Sequence, residues 1–114
     1  MRILLIDDDA AVLEVVSLML ATDGHDVSTA SSGPAGIARL DAGPPVDLVL
    51  TDLAMPDMSG WDVVRAVRRR WPDVRVGLVT GTPQYLEEQQ EAVHLLVLKP
   101  VDLDTLRRAI ATLA

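Results

Sequence analysis

Cysteine and phenylalanine are absent from the 114 residues, and only two Trp and one Tyr supply aromatic rings. Without thiols the chain can form neither disulfide bonds nor thiolate metal sites. A core without Phe must be aliphatic, built from Leu, Val, Ile and Ala. A chain of this length is long enough to bury one such core, which predicts a single domain over residues 1–114.

Positive charge is scarce: ten basic residues face 17 acidic ones, and the formal net charge is −7. This balance argues against nucleic acid or an anionic membrane as the main partner. No apolar run reaches membrane-spanning length, and no signal-like segment follows Met1. We therefore expect a cytoplasmic protein with no membrane partner. The only lysine is Lys99, in the segment VLKPVDL, which makes it a residue to examine.

Short apolar runs alternate with longer, helix-like segments. The runs rich in Val, Leu and Ile are residues 2–6, 25–29, 47–51, 75–80 and 94–98. Such alternation predicts right-handed crossovers and a parallel sheet covered on both faces. The expected fold is an α/β three-layer sandwich of five strands and five helices. The fourth helix is predicted to be short, between Thr82 and Ala92, and the last to begin after Asp102.

The first helix is predicted to turn an apolar face to the core, made of residues at helical spacing, namely Val12, Val15, Val16, Met19 and Leu20. Leu13 and Leu18 fall outside that face. They are either ordinary surface leucines or contacts for a partner.

Polar residues follow the predicted strands at the edge where parallel sheets bind ligands. Asp7, Asp8 and Asp9 follow the first strand, Asp52 the third, Thr80 ends the fourth and Lys99 follows the fifth. Unit charges about 5 Å apart repel by about 3 kcal/mol at an effective dielectric near 20. Clustered carboxylates therefore need a cation, and oxygen ligands suit Mg²⁺ or Mn²⁺ better than zinc.

Each of these residues has an ordinary explanation when taken alone. An Asp after a strand is commonly a helix cap, a strand-end Thr is commonly structural, and a Lys before Pro is commonly on the surface. Their joint occurrence at four strand ends favours a functional site that holds a cation and phosphoryl oxygens. Asp9 is the exception, because the chain is entering a helix there, and we predict that it caps that helix.

Four motifs carry a resemblance to a known family: IDDD at 6–9, LTDLAMPDMSG at 50–60, VTG at 79–81 and LKP at 98–100. The chain resembles the response-regulator receiver domains of two-component signalling from about Arg2 to its end. The resemblance implies the flavodoxin-like strand order 2-1-3-4-5. It also leaves open whether the domain stands alone or comes from a larger protein such as a hybrid kinase.

The resemblance implies that Asp52 accepts a phosphoryl group from a phosphohistidine. Asp7 and Asp8 would bind Mg²⁺ or Mn²⁺ together with Asp52, and the backbone carbonyl of Ala54 would complete the protein ligands. The phosphodonor would be a sensor histidine kinase or a histidine phosphotransfer protein. Such a domain is not a turnover enzyme, although it catalyses its own phosphorylation and dephosphorylation.

Thr80 and Lys99 would bind the phosphoryl oxygens, again by the resemblance, and Pro100 would follow a cis peptide bond as in the family. Gly60 is predicted to permit the turn into the next helix, and Trp61 to be partly exposed beside the site.

Two features depart from the family pattern. Leu96 occupies the place of the usual aromatic residue three positions before the lysine, so switching by an aromatic side chain is excluded. The segment from Thr80 to Lys99 is also shorter than usual. The dimers that family members form through the fourth and fifth helices are therefore a poor guide to the oligomeric state of this chain. A weak homodimer is the one oligomer left open.

Three alternatives differ in class from a phosphoacceptor. A phosphorylation-independent interaction module on the same fold would not need Asp52 or Lys99, and both are present. A hydrolase with an aspartyl-phosphate intermediate would need a DxD nucleophile motif. A flavin-binding protein would need a Ser/Thr-rich phosphate loop and flanking aromatics.

Overall fold

A computed structural model of the chain describes residues 1–81 and 93–113. The strands are β1 (Arg2–Ile6), β2 (Asp26–Ala30), β3 (Leu48–Thr51), β4 (Arg75–Thr80) and β5 (Leu95–Leu98). The helices are α1 (Ala10–Thr22), α2 (Gly33–Ala42), α3 (Gly60–Arg70) and α4 (Leu103–Ala111). The helix predicted between Thr82 and Ala92 lies outside the described residues, within which there are four helices rather than five.

All strand pairs are parallel, and the order in the sheet is β2-β1-β3-β4-β5, as predicted. The register places Ile6 opposite both Ala30 and Thr51, so the carboxyl ends of β1, β2 and β3 are level. The residues that follow these strands therefore emerge side by side at one edge of the sheet.

Two apolar clusters fill the spaces on either side of the sheet, which confirms the three-layer prediction. On one face β1, β3, β4 and β5 contribute residues that pack with Val16 and Leu20 of α1 and Leu106 of α4. On the other face, the partners are Val63, Val64 and Val67 of α3, with α2 beside them. Trp61 is buried in this second cluster, so the prediction that it is partly exposed is wrong.

Each helix begins at a side-chain cap that satisfies free backbone N–H groups. Asp9, Ser32, Ser59 and Asp102 accept hydrogen bonds from N–H groups in the first turns of α1 to α4 respectively. At α3 the Asp62 carboxylate in turn accepts a hydrogen bond from the Ser59 N–H, which completes a capping box. These caps fix where the chain turns from the carboxyl edge of the sheet into a helix.

Candidate functional site

Three aspartates meet at the carboxyl edge of β1 and β3. The backbone N–H of Asp52 donates to the Ile6 carbonyl at 3.0 Å, and that of Asp7 donates to the Ala30 carbonyl at 3.1 Å. These bonds continue the sheet ladder by one residue beyond the strands. They therefore give Asp7 and Asp52 fixed backbones, although both residues lie outside regular secondary structure.

One carboxylate oxygen from each of Asp7, Asp8 and Asp52 lies within 4.8 Å of the other two. Asp7 and Asp52 are buried, whereas Asp8 is exposed to solvent. A set of three oxygen donors with one open side suits a small hard cation that keeps part of its hydration shell. The donor set therefore fits Mg²⁺ or Mn²⁺, as the sequence predicts.

Lys99 reaches this cluster from the end of β5. Its Nζ lies 2.8 Å from Asp7 Oδ2 and 3.4 Å from Asp52 Oδ2, so a single ammonium bridges two carboxylates. The Lys99 backbone N–H donates to the Thr80 carbonyl at 2.9 Å, which ties the end of β5 to that of β4. The Lys99–Pro100 peptide bond is cis, as predicted.

Backbone N–H groups determine which carboxylate oxygens remain available. The Leu53 N–H donates to Asp52 Oδ1 at 2.8 Å, and the Asp9 N–H donates to Asp7 Oδ1 at 2.9 Å. In both aspartates the Oδ2 atom faces Lys99 instead. Each carboxylate therefore has one oxygen held by the protein backbone and one directed into the site.

Burial and the Lys99 charge act in opposite directions on Asp7. Burial disfavours the ionised carboxylate and raises its pKa above the ordinary value, while hydrogen bonds from Lys99 and the Asp9 N–H offset this only in part. For Lys99, burial would lower the pKa, but the Asp7 hydrogen bond and the Asp52 charge outweigh it and raise the pKa. The lysine thus stays an ammonium, and the cluster still carries more negative than positive charge.

The sequence matches the model of the response regulator receiver domain over residues 3–111. The chain belongs to the response regulator receiver family. Among curated proteins this receiver domain is 35% identical to the transcriptional regulatory protein GlrR of Escherichia coli over 112 residues. It is 38% identical to the cell cycle transcriptional regulator CtrA of Caulobacter vibrioides over 86 residues.

The receiver domain covers only a part of these relatives. The matched residues are 96% of this chain but 25% of GlrR, and 74% of this chain but 36% of CtrA. The expectation that nucleic acid is not a partner thus concerns these residues alone and stays a prediction, since both relatives are named as transcriptional regulators. Across residues 1–81 and 93–113, no helix is long and apolar enough to cross a membrane.

Solved structures share the fold over nearly the whole length. The response regulator TrrA of Thermotoga maritima, solved in complex with Mg²⁺–BeF, is 28% identical with a TM-score of 0.91, and 99% of this chain and 98% of TrrA are covered. A receiver domain protein of Clostridium thermocellum is 32% identical with a TM-score of 0.85, covering 96% and 90% of the two chains.

The remaining predicted residues of the receiver site lie where the topology requires. Thr80 ends β4 and is fully buried, opposite Leu98 in the register. Ala54 lies two residues after Asp52 in the exposed loop that precedes α3. The roles of Thr80 and of the Ala54 carbonyl toward phosphoryl oxygens and metal stay predictions.

Asp9 differs from its two neighbours, as predicted. Its Oδ1 accepts hydrogen bonds from the N–H groups of Ala11 and Val12 at 2.9 and 3.4 Å. The carboxylate therefore faces the start of α1 and caps it, while its backbone N–H supports Asp7.

The exposed surface of α1 was only partly predicted. Val15, predicted to face the core, is 51% exposed, and Leu18 is 68% exposed. Leu13, predicted to lie off the core face, packs against the cluster beneath α1. Leu96, which replaces the usual aromatic residue, is also exposed, on β5.

Gly60 has a role that the sequence did not indicate. The prediction that Gly60 is needed to permit a turn is wrong, because its backbone φ is not in the left-handed region, which among the described glycines only Gly24 adopts. Instead, a Cβ at position 60 would lie 2.1 Å from the Asp52 carbonyl oxygen. No sequence pattern indicated this close approach.

Proposed function

We propose that Asp52 of this receiver domain accepts a phosphoryl group from a phosphohistidine of a partner protein. The phosphorylated domain then changes its interactions with partner proteins. The observation that carries the proposal is the arrangement of the Asp52 carboxylate. Its Oδ1 is held by the Leu53 N–H, while its Oδ2 faces the Lys99 ammonium in a cluster that fits a divalent cation.

In the transfer step, Asp52 Oδ2 attacks the phosphorus atom of the phosphohistidine. An O–P bond forms and the N–P bond breaks; its electron pair stays on the imidazole, which takes a proton from solvent. The transition state spreads negative charge over the phosphoryl oxygens. Lys99, already within 3.4 Å of Asp52 Oδ2, is close enough to bind one of them.

Asp7, Asp8, Asp52 and the Ala54 carbonyl would hold Mg²⁺ or Mn²⁺. When bound, such an ion supplies positive charge against the phosphoryl oxygens. The related TrrA structure, solved with Mg²⁺–BeF, supports the assignment of a cation to this fold. Thr80, at the end of β4, is proposed to bind a further phosphoryl oxygen.

The partner is proposed to be a sensor histidine kinase or a histidine phosphotransfer protein that docks on α1. Ala11, Val15 and Leu18 are exposed and lie three or four residues apart, so they form one stripe along the helix. Next to the stripe, a groove of about 510 Å³ runs between α1 and the segment Lys99, Pro100 and Val101. An apolar helical surface placed there would bring a phosphohistidine beside Asp52.

The first experiment measures the intact mass of the protein after incubation with acetyl phosphate and Mg²⁺. We expect the wild-type protein to gain one phosphoryl group and Asp52→Asn to gain none. Asp57→Asn is the matched control, because Asp57 is exposed in the same loop and lies outside the carboxylate cluster. If the wild type gains no mass, or Asp52→Asn gains as much, the phosphoacceptor proposal fails and the phosphorylation-independent module becomes the better account.

The docking surface is tested by comparing two phosphodonors. Val15→Glu should slow transfer from a phosphorylated histidine phosphotransfer protein but leave the reaction with acetyl phosphate unchanged. Leu96→Glu is the control, since Leu96 is an exposed apolar residue on β5, away from α1. Equal transfer rates for the wild type and Val15→Glu would remove α1 from the docking surface.

A further inference from the structure

The peptide unit between Asp52 and Leu53 is held at both of its polar atoms. Its N–H, on Leu53, donates to Asp52 Oδ1 at 2.8 Å, and its carbonyl oxygen, on Asp52, accepts from the Thr51 hydroxyl at 2.9 Å. Because a peptide unit is planar, the carbonyl and the N–H must rotate together. Any force on the carbonyl therefore changes the hydrogen bond that orients the Asp52 carboxylate.

The first residue of α3 lies directly against this peptide unit. The Gly60 N–H donates to the Leu53 carbonyl at 2.9 Å, and a Cβ on Gly60 would lie 2.1 Å from the Asp52 carbonyl oxygen and 2.8 Å from Leu53 Cα. Real Cβ contacts essentially never fall below 3.0 Å, so an alanine would displace the peptide by roughly 1 Å. The obstruction is backbone and cannot move aside by a change of rotamer.

Gly77, in the middle of β4, provides the contrast. A Cβ there would lie 2.5 Å from Leu95 Cγ, which is similarly crowded. Its obstructing atoms, however, belong to side chains of the core rather than to the peptide next to Asp52. A substitution at Gly77 thus disturbs packing without acting on the Asp52–Leu53 peptide.

We propose that Gly60 and Thr51 are positioning residues for Asp52: they fix the plane of the Asp52–Leu53 peptide and thereby aim Asp52 Oδ2 into the site. The expected effect on the phosphorylation rate rests on the proposed function of Asp52. The structural consequence, the orientation of a carboxylate in the cation cluster, can be measured without any phosphoryl donor.

The test compares Gly60→Ala and Thr51→Val with Gly77→Ala. Circular dichroism and thermal melting establish folding, calorimetric titration gives the Mg²⁺ dissociation constant, and acetyl phosphate gives the phosphorylation rate. A misplacement of 1 Å costs on the order of 100-fold in rate, and loss of a supporting hydrogen bond about 10-fold in metal affinity. We expect Gly60→Ala and Thr51→Val to show losses in this range, with Gly77→Ala losing thermal stability only.

A spectroscopic measurement on the metal-free protein separates positioning from general destabilisation. The amide proton of Leu53 donates to a carboxylate, so its NMR chemical shift should change in Thr51→Val and not in Gly77→Ala. Because Thr51→Val adds no atom to the crowded contact, it decides the question if Gly60→Ala does not fold.

The two proposals fail in different ways. If the wild type gains no phosphoryl group, the proposed function falls, while Mg²⁺ affinity and the Leu53 shift still decide the positioning role. If the wild type is phosphorylated and the folded variants match it within twofold in rate and Mg²⁺ affinity, the positioning role is overturned.

Discussion

Two ion pairs of nearly equal length behave differently because one is buried and the other is on the surface. Lys99 Nζ and Asp7 Oδ2 are 2.8 Å apart with side chains 22% and 2% exposed, whereas Arg107 and Asp23 are 2.7 Å apart with side chains 46% and 23% exposed. The Arg107 hydrogen bond lowers the pKa of Asp23. The pKa of Asp7 is nonetheless raised, because burial outweighs the lysine.

A short distance alone does not identify a stabilising ion pair. At the surface, water screens the charges and the pair contributes little. At the carboxyl edge, desolvation and a neighbouring carboxylate leave the cluster with unsatisfied negative charge, and one lysine does not balance it. A cation or a phosphoryl group bound at the carboxyl edge of the sheet therefore changes the free energy of unfolding.

The largest effect that we expect is that of added Mg²⁺. A ligand at 100 times its dissociation constant stabilises the native state by about 2.7 kcal/mol. The melting temperature of the wild type should therefore rise with Mg²⁺, whereas Asp8→Asn, which lacks one carboxylate charge of the cluster, should show a much smaller rise. Thermal denaturation with Mg²⁺ or with a chelator measures this, and identical rises in the two proteins would contradict the cation site.

Lys99→Met should show a smaller but opposed pair of effects. Without the ammonium, the carboxylates of Asp7 and Asp52 face each other with no positive charge between them. We expect the metal-free protein to lose about 2 kcal/mol of unfolding free energy. This loss is smaller than that for breaking a fully buried ion pair, because Lys99 is partly exposed. Mg²⁺ should bind more tightly, since a competing cation is gone. Chemical denaturation and Mg²⁺ titration check both effects, and weaker Mg²⁺ binding would refute the competition.

Asp9→Ala should cost about 1 kcal/mol of stability, the usual value for loss of an N-cap. The Asp9 backbone N–H still supports Asp7, so Mg²⁺ affinity should stay close to that of the wild type. Denaturation together with calorimetric titration distinguishes this variant from Asp8→Asn. A large loss of Mg²⁺ affinity would show that Asp9 belongs to the cation site.

Arg107→Ala should have the smallest effect, because its pair with Asp23 is exposed. The folded-state pKa of Asp23 is lowered, so the pair contributes stability above the ordinary pKa of 3.8, and this contribution is lost as pH falls through the lowered value. The melting temperatures of variant and wild type should therefore differ slightly at pH 7 and converge in acid. A difference that grows as the pH falls would contradict this account.

The positions of the strands were predicted well from the sequence. Each of the five strands was placed within one residue at either end. The clearest were β1 and β3, which are near-continuous apolar runs because both faces of the sheet are covered there. The exposed face of α1 could not be read in this way. Its thirteen residues carry one charge, Glu14, so apolar residues point in every direction and spacing does not separate Val15 from Leu13.

The candidate site was predictable because its side chains follow strand ends, and the topology brings these ends together. Distances between chain segments were not predictable. The bridge from Lys99 to Asp7 joins residues 92 positions apart, and the contact of Gly60 with the Asp52 carbonyl depends on how closely a helix start approaches a loop. A sequence lists the residue types but does not give such separations.

The most direct test of the central claim is to locate the phosphoryl group. The protein is incubated with acetyl phosphate and Mg²⁺, the acyl phosphate is reduced with borohydride, and the modified residue is identified by peptide mass spectrometry. We predict modification at Asp52 alone, abolished by chelation of the metal. Modification at Asp7, at Asp8 or at a residue outside the cluster, or none at Asp52, would contradict the account.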